Sequence, residues 1–369
     1  MTRRRFLFTM PAAVRPVQAP VAFHYEAFFP EPELRWYTRF ETLVTGAVLE
    51  ASQRRALREG GVGKLLAYEW TSGFYPGDPV SASLDWQSRV RARREQWLLT
   101  ETPVGGAAAE RGPAEWYDFA NDDLVDARAR HLAGLLDSSG YDGFFFDTPG
   151  VQALPRVVAN AWQVRNPRLD YTEQVGRFLR HLRARIGDKR IIFTNQGYRQ
   201  ADQLLPAANF DLSESYFTYV KPGDGTGFRP WHDPDKPWES IFTPVDQLIS
   251  PALAKFPNVK MVHVNYAGGA TSMKNRALRY SWACARIFGH EAYLMCPDDP
   301  YSERDEIYFA DLGEAEGPWE QNPARTIVWR RFQRAVVAIN SSPEPARVPG
   351  LDLPLPQPFQ GYVFPSGAR

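Results

Sequence analysis

Short apolar runs separated by amphipathic stretches fill most of the chain, the alternation expected of βαβ units around a parallel sheet. Eight runs predict strands at residues 21–25, 42–45, 64–68, 143–146, 190–194, 211–214, 260–265 and 291–295. Phe144-Phe145-Phe146 and Ile191-Ile192-Phe193 are apolar without alternation, as in strands covered on both faces. Three helices are legible between the strands. Asn121 caps one with Asp122 and Asp123 in its first turn, a stripe of Val125, Ala129, Leu132 and Leu136, and Gly140 as its stop. A second begins at Thr172, presents Val175, Phe178, Leu179, Leu182 and Ile186, and ends at Gly187. A third starts at Thr271 or Ser272 and runs through Ala277, Tyr280, Cys284 and Phe288 to Gly289. Each delivers the chain into the next apolar run. The pattern predicts an α/β fold, a (β/α)8 TIM barrel over residues 21–300.

Three regions break the rhythm. Residues 71–118 hold Gly73, Pro76, Gly77 and Pro79, then an Arg-rich stretch and a Gly-rich loop. Residues 221–238 form a Gly/Pro loop carrying Trp231 and Trp238. Beyond Tyr301 the alternation stops: residues 326–329 and 335–339 predict a strand pair, Asn340-Ser341-Ser342 a turn, and a Pro-rich tail follows. Residues 301–369 are therefore expected to form a small C-terminal β appendage. At the other end, Thr2-Arg3-Arg4-Arg5-Phe6-Leu7 resembles a twin-arginine export signal, while Pro11 and Arg15 shorten its apolar stretch. Residues 1–20 are thus either a signal, which would make the protein secreted or periplasmic, or a basic tail on a cytoplasmic one. No run of about 18 apolar residues exists, so no transmembrane helix is expected.

Composition narrows the partners. The 369 residues carry 43 Lys+Arg against 43 Asp+Glu, a formal charge of zero, which argues against nucleic acid as the main partner. Aromatics make up 14%, which supplies core volume and also flat apolar faces of the kind sugar rings stack on. Two cysteines, Cys284 and Cys296, are too few for a disulfide framework or a structural zinc site, and the six histidines show no HExxH spacing. No metal or other cofactor is expected.

In such a barrel the functional rim lies at the carboxyl ends of the strands. There the sequence reads His24-Tyr25-Glu26, Tyr68-Glu69-Trp70, Asp147, Asn195-Gln196-Gly197-Tyr198, Glu214-Ser215-Tyr216, Asn265-Tyr266 and Asp298-Asp299. Carboxylates, amides and tyrosines gather at one end, an inventory that suits a hydroxyl-rich ligand. Asp147 directly follows three phenylalanines, and Glu214, a poor turn former, closes the sixth strand. Two carboxylates on the fourth and sixth strands can face each other across a barrel mouth, as glycosidic bond cleavage requires. Tyr25, Glu69, Trp70, Asn195, Tyr198, Asn265, Tyr266, Trp231 and Asp298 are the candidate substrate-binding residues, with Glu69 a rival to Glu214 for the acid role. Asp142, ahead of its strand, reads as a turn residue at the opposite rim.

Tyr141-Asp142-Gly143-Phe144-Phe145-Phe146-Asp147 resembles the "GFDGV-x-x-D" strand of the endo-α-1,4-polygalactosaminidase family, glycoside hydrolase family 114. Asn195 after Ile191-Ile192-Phe193, and Glu214 within Leu212-Ser213-Glu214-Ser215, follow that family's strand-five amide and strand-six glutamate. The likeness covers residues 20–300 in order and spacing with few outright matches. It implies a retaining mechanism with Asp147 as nucleophile and Glu214 as acid/base, acting on an amino-sugar polymer. Thr148-Pro149-Gly150 departs from the family, which commonly has Asn and another acid there. Two other readings stand beside this one. A carbohydrate-binding barrel without catalysis uses the same aromatics, and a metal-dependent hydrolase or deacetylase would draw on His24 and His263, which lie on predicted strands.

Overall fold

The computed structural model describes residues 19–25, 31–46, 49–74, 84–99, 115–223, 225–297 and 300–366. Residues 1–18, Glu26, the Gly-rich loop at 105–112, Asp298 and Asp299 lie outside them, so the expected export signal and Asp298 fall outside the described residues.

Eight strands form one sheet in sequential order: β1 (Ala19–His24), β2 (Phe40–Thr45), β3 (Lys64–Trp70), β4 (Gly143–Asp147), β5 (Ile191–Asn195), β6 (Phe210–Glu214), β7 (Lys260–Tyr266) and β8 (Glu291–Met295). Helices α1 (Glu31–Tyr37), α2 (Ala51–Gly60), α3 (Asp122–Ser139), α4 (Arg156–Arg165), α5 (Tyr171–Ile186) and α6 (Thr271–Phe288) alternate with them. This is a (β/α)8 barrel, with extra β-sheets from the C-terminal strands. Several strands run past their apolar segments. β3 reaches Trp70 because Trp70 still pairs with Asp147 in the parallel ladder, and β5 reaches Asn195 because Asn195 pairs with Leu212. Backbone pairing continues where apolarity has stopped, and these are the residues that reach the rim.

Contacts divide the chain into two compact units, and residues 20–214 with 246–262 make the first. Successive side chains of a strand face opposite ways, so residue parity sorts each strand. Phe23, Phe145 and Phe193 meet edge to face inside the barrel, with centroids 5.2–5.8 Å apart. The neighbours Phe144 and Phe146 face outward, and Phe146 packs on Phe178 of α5. That explains the unbroken apolar run. At the start of β4 only glycine fits, since a Cβ on Gly143 would stand 2.0 Å from the Ile191 carbonyl oxygen. Asn121 accepts the Leu124 amide at 3.0 Å and Gly140 closes α3 in the left-handed region, both as the sequence signals. Helix α5 starts one residue earlier than its apolar stripe indicated, because Asp170 caps it by accepting the Glu173 amide at 2.8 Å. Asp142 accepts the Leu65 amide at 2.8 Å and pairs with Arg58, which ties down the amino-terminal rim.

Residues 215–245 and 263–366 belong to the second unit. Its C-terminal strands are β9 (Glu320–Gln321), β10 (Ile327–Arg331), β11 (Ala335–Asn340), β12 (Ala346–Val348), β13 (Leu353–Leu355) and β14 (Gln360–Pro365). They form an antiparallel sheet β9-β10-β11-β14 and a hairpin β12-β13. The expected strand pair is β10 and β11, and the Asn340-Ser341-Ser342 turn follows β11. Ile327, Trp329, Val336, Ala338, Val348, Leu353 and Leu355 make a core between sheet and hairpin. Helix α6 rests on β14 through Gly361, where a Cβ would meet the Arg279 carbonyl at 2.0 Å. Among the described residues no helix is long and apolar enough to cross a membrane.

In the first unit Arg128 of α3 is 1% exposed and donates to Glu69 of β3, also 1% exposed, at 2.5 Å, and to the Trp70 carbonyl at 3.0 Å. Its guanidinium lies 4.0 Å from the centre of the Tyr117 ring. Removing one partner of a buried ion pair strands the other's charge. Glu69→Ala is expected to lower unfolding free energy by about 3–5 kcal/mol in urea titrations, and Glu69→Ala with Arg128→Met by clearly less. A single-variant loss under about 1 kcal/mol would contradict the pairing.

Candidate active site

Parity brings five polar side chains to the carboxyl-end interior of the first unit. Tyr25 shares its facing with Phe23, Tyr68 with Leu66, Asp147 with Phe145, Asn195 with Phe193, and Glu214 with Leu212. They make one connected cluster. The Tyr25 and Tyr68 rings stand edge to face at 5.7 Å, and the Tyr68 hydroxyl donates to Asp147 Oδ2 at 2.6 Å. The Asn195 amide donates to Asp147 Oδ1 at 2.7 Å and to Glu214 Oε2 at 3.2 Å. A single NH2 group therefore bridges both carboxylates. Oxygens bonded to one nitrogen at 2.7 and 3.2 Å lie no more than 5.9 Å apart.

Asp147 is half-buried, and Glu214 is exposed. Burial raises the Asp147 carboxyl above the usual aspartate range, hydrogen bonds from Tyr68 and Asn195 pull it back, and the nearby Glu214 charge pushes it up again. Each of the three central residues is followed by a residue in the left-handed region: Thr148 at φ 43°, Gln196 at φ 59° and Ser215 at φ 52°. Non-glycine residues adopt that region at a cost, and such positions cluster at functional sites. Here the chain turns sharply away at the last residue of β4, β5 and β6, leaving Asp147, Asn195 and Glu214 at strand tips.

Beneath the Asn195 turn lies Asp211, fully buried and facing outward from β6. It accepts from Thr194 Oγ1 at 2.7 Å, the Gly197 amide at 2.8 Å and the Tyr198 amide at 2.7 Å. Burial pushes its carboxyl up to about 7 in spite of those donors.

Other candidates occupy different places. Glu69 has the opposite parity to Tyr68, so it points into the layer between sheet and α3 and pairs with Arg128 rather than facing the barrel mouth. Trp70 is buried, edge-on to Trp116 at 4.8 Å. Tyr198 is buried with Arg199 5.5 Å over its ring. Three candidates belong to the second unit. Trp231 is a core residue stacked on Phe288 at 4.7 Å, not a groove wall, whereas Trp238 is exposed. Asn265 is buried, accepting the Phe217 and Thr218 amides at 2.7 and 3.2 Å, and half-buried Tyr266 ends β7. His24 meets the Tyr37 hydroxyl and His263 meets His290, both inside the protein. Among the described residues no group of three or more His, Cys, Asp or Glu could hold a metal ion.

Sequence reasoning passed over Tyr68 and Asp211. Counting parity back from Trp70 would have found Tyr68. Asp211 carried no signal, because a carboxylate at the start of a strand ordinarily marks a turn.

Fold and geometry together define a (β/α)8-barrel protein with a carboxylate pair bridged by an amide at its carboxyl-end rim. No protein-family model matches the chain, and no curated protein matches it. Solved structures do. The glycoside hydrolase domain of PelA from Pseudomonas aeruginosa is 17% identical with a TM-score of 0.51, over 75% of this chain and 94% of that one. An α-amylase from Anoxybacillus is 9% identical with a TM-score of 0.51, over 90% of this chain and 88% of that one. The Arthrobacter globiformis T6 isomalto-dextranase is 11% identical with a TM-score of 0.51, over 95% of this chain and 72% of that one. At such identities the likeness shows a shared fold.

The raised Asp211 carboxyl has a consequence for stability. Between about pH 4 and pH 7 the folded protein keeps a proton there that the unfolded chain has released, so this group's contribution falls as pH rises through that window. Unfolding free energies of wild type minus Asp211→Asn should decline across it and level off above pH 7. A difference that stays flat from pH 4 to pH 8 would contradict the assignment.

Proposed function

We propose that the protein is a glycoside hydrolase that cleaves a glycan by a retaining, two-carboxylate mechanism, with Asp147 as nucleophile and Glu214 as acid/base. The observation that carries this reading is the Asn195 amide between the two carboxylates. Retaining glycosidases hold their carboxyl groups about 5–5.5 Å apart, whereas inverting ones leave about 6.5–9.5 Å for a water. Two oxygens kept within 5.9 Å of each other by one shared amide favour the retaining case. Likeness to barrels described as a glycoside hydrolase domain, an α-amylase and an isomalto-dextranase supports the same class of chemistry.

The roles follow from the partners. Both Asp147 oxygens accept hydrogen bonds, one from Tyr68 and one from Asn195, which favours the ionised form and fixes its direction. That is what a nucleophile needs. Glu214 stands exposed at its strand tip, where a leaving group and then a water can reach it. In the first step an Asp147 oxygen bonds to the anomeric carbon as the glycosidic C–O bond breaks, and the Glu214 proton goes to the departing oxygen. In the second, Glu214 takes a proton from water, whose oxygen displaces Asp147 from the sugar. The substrate class we infer is an amino-sugar polymer, from the family-114-like order of Asp147, Asn195 and Glu214 along the chain.

The test is a screen of purified protein on α-1,4-linked polygalactosamine, chitosan, amylose and dextran, with products followed by proton NMR. We expect cleavage of an amino-sugar polymer with the first-formed product keeping the substrate's anomeric configuration, and a loss of at least about 1,000-fold in Asp147→Asn with its melting temperature little changed. Unchanged hydrolysis in that variant would overturn the assignment. Binding of a polymer without turnover in the wild type would favour a non-catalytic carbohydrate-binding barrel.

A further inference from the structure

Asn195 is the last residue of β5, and the chain reverses immediately after it through Gln196 in the left-handed region. The position of its amide is therefore set by whatever fixes the turn on either side. Asp211 does so from both sides. Its Oδ1 accepts from Thr194, the residue before Asn195, and from the Gly197 amide, and its Oδ2 accepts from the Tyr198 amide. Thr194 and Asp211 are direct partners in the β5–β6 ladder, and the Gln196 amide adds a bond of 2.7 Å to the Leu212 carbonyl. Gly197 makes the approach possible, since a Cβ there would lie 2.9 Å from both Asp211 Oδ1 and Thr194 Oγ1.

We infer that Asp211 is a positioning residue that holds the Asn195 amide between Asp147 and Glu214. The inference rests on the hydrolase reading of that site. Above about pH 7, where the Asp211 carboxyl is ionised, three donors converge on two oxygens, and a carboxylate accepts from all of them without presenting a donor of its own. An asparagine would turn an NH2 against at least one donor. No salt bridge to Asp211 stands among the described residues, so it is buried on hydrogen bonds alone. A buried carboxylate held that way costs stability. What the carboxylate provides locally is the turn that carries Asn195.

Two variants separate positioning from plain structure. Thr194→Val removes one donor to Asp211 without touching the site, Thr194→Ser restores it, and Asp211→Asn sets an NH2 against at least one of the three donors. The side-chain amide signals of Asn195, assigned in 15N-asparagine-labelled protein by their loss in Asn195→Ala, should shift in Thr194→Val and Asp211→Asn and return in Thr194→Ser. On α-1,4-linked polygalactosamine we expect kcat to fall about 10- to 100-fold in Asp211→Asn with KM within about twofold, since small misplacements carry losses of that size. In an Asn195→Ala background the same substitution should cost less than about twofold, because the group it positions is gone. Should Asp211→Asn fail to fold, the Thr194 pair carries the test. Unmoved Asn195 signals in Thr194→Val, or equal kcat losses with and without Asn195, would overturn the inference. Full activity in both Asn195→Ala and Asp147→Asn would sink the hydrolase reading, whereas impairment there with wild-type kcat in Asp211→Asn would sink the positioning role alone.

Discussion

Two carboxylates at one barrel mouth repel each other, and a single amide holds them together. At roughly 5–6 Å and an effective dielectric near 20, the repulsion between two ionised carboxylates is about 3 kcal/mol, and less where solvent reaches Glu214. Hydrogen bonds to charged groups contribute about 1.5–3 kcal/mol each. Two from Asn195 and one from Tyr68 are enough to offset that repulsion and keep the two side chains close. Without that amide nothing would bridge the two carboxyl groups, and the close spacing on which the proposed retaining chemistry rests would be lost.

The surrounding structure serves that amide at several levels. Parity of β4, β5 and β6 turns Asp147, Asn195 and Glu214 inward over the Phe23–Phe145–Phe193 cluster, which gives them a rigid apolar floor. Left-handed residues after each strand tip turn the chain away at once, so the tips are not buried under their own loops. Asp211 then fixes the central turn from the outer face of the sheet. Glu69 and Arg128 do related work one strand away, tying α3 to β3 close behind Tyr68.

Much of this was legible in the sequence. The apolar runs placed all eight barrel strands, and reading what followed each run found Asp147, Asn195, Glu214 and Tyr25, four of the five residues in the cluster. Tyr68 and Glu69 follow the same apolar run, and only their facing shows that Tyr68 rather than Glu69 reaches the barrel mouth. The Gly/Pro-rich neighbourhood of Trp231 reads as surface, although the residue is fully buried. Its partners Phe288 and Trp319 lie more than 50 positions away, and no local pattern announces them. Asp211 was invisible for the same reason: its meaning depends on three donors brought from β5 and the turn beyond it. Facing and long-range packing are set by tertiary structure, and the sequence pattern resolves them only where parity is counted explicitly.

The most direct measurement of the central claim is the mass of the protein quenched during turnover of the polymer proposed as its substrate, followed by peptide mapping. A covalent glycosyl adduct on the peptide that carries Asp147, absent from Asp147→Asn, is the predicted result. An adduct on another residue, or turnover with inverted product and no adduct, would contradict it.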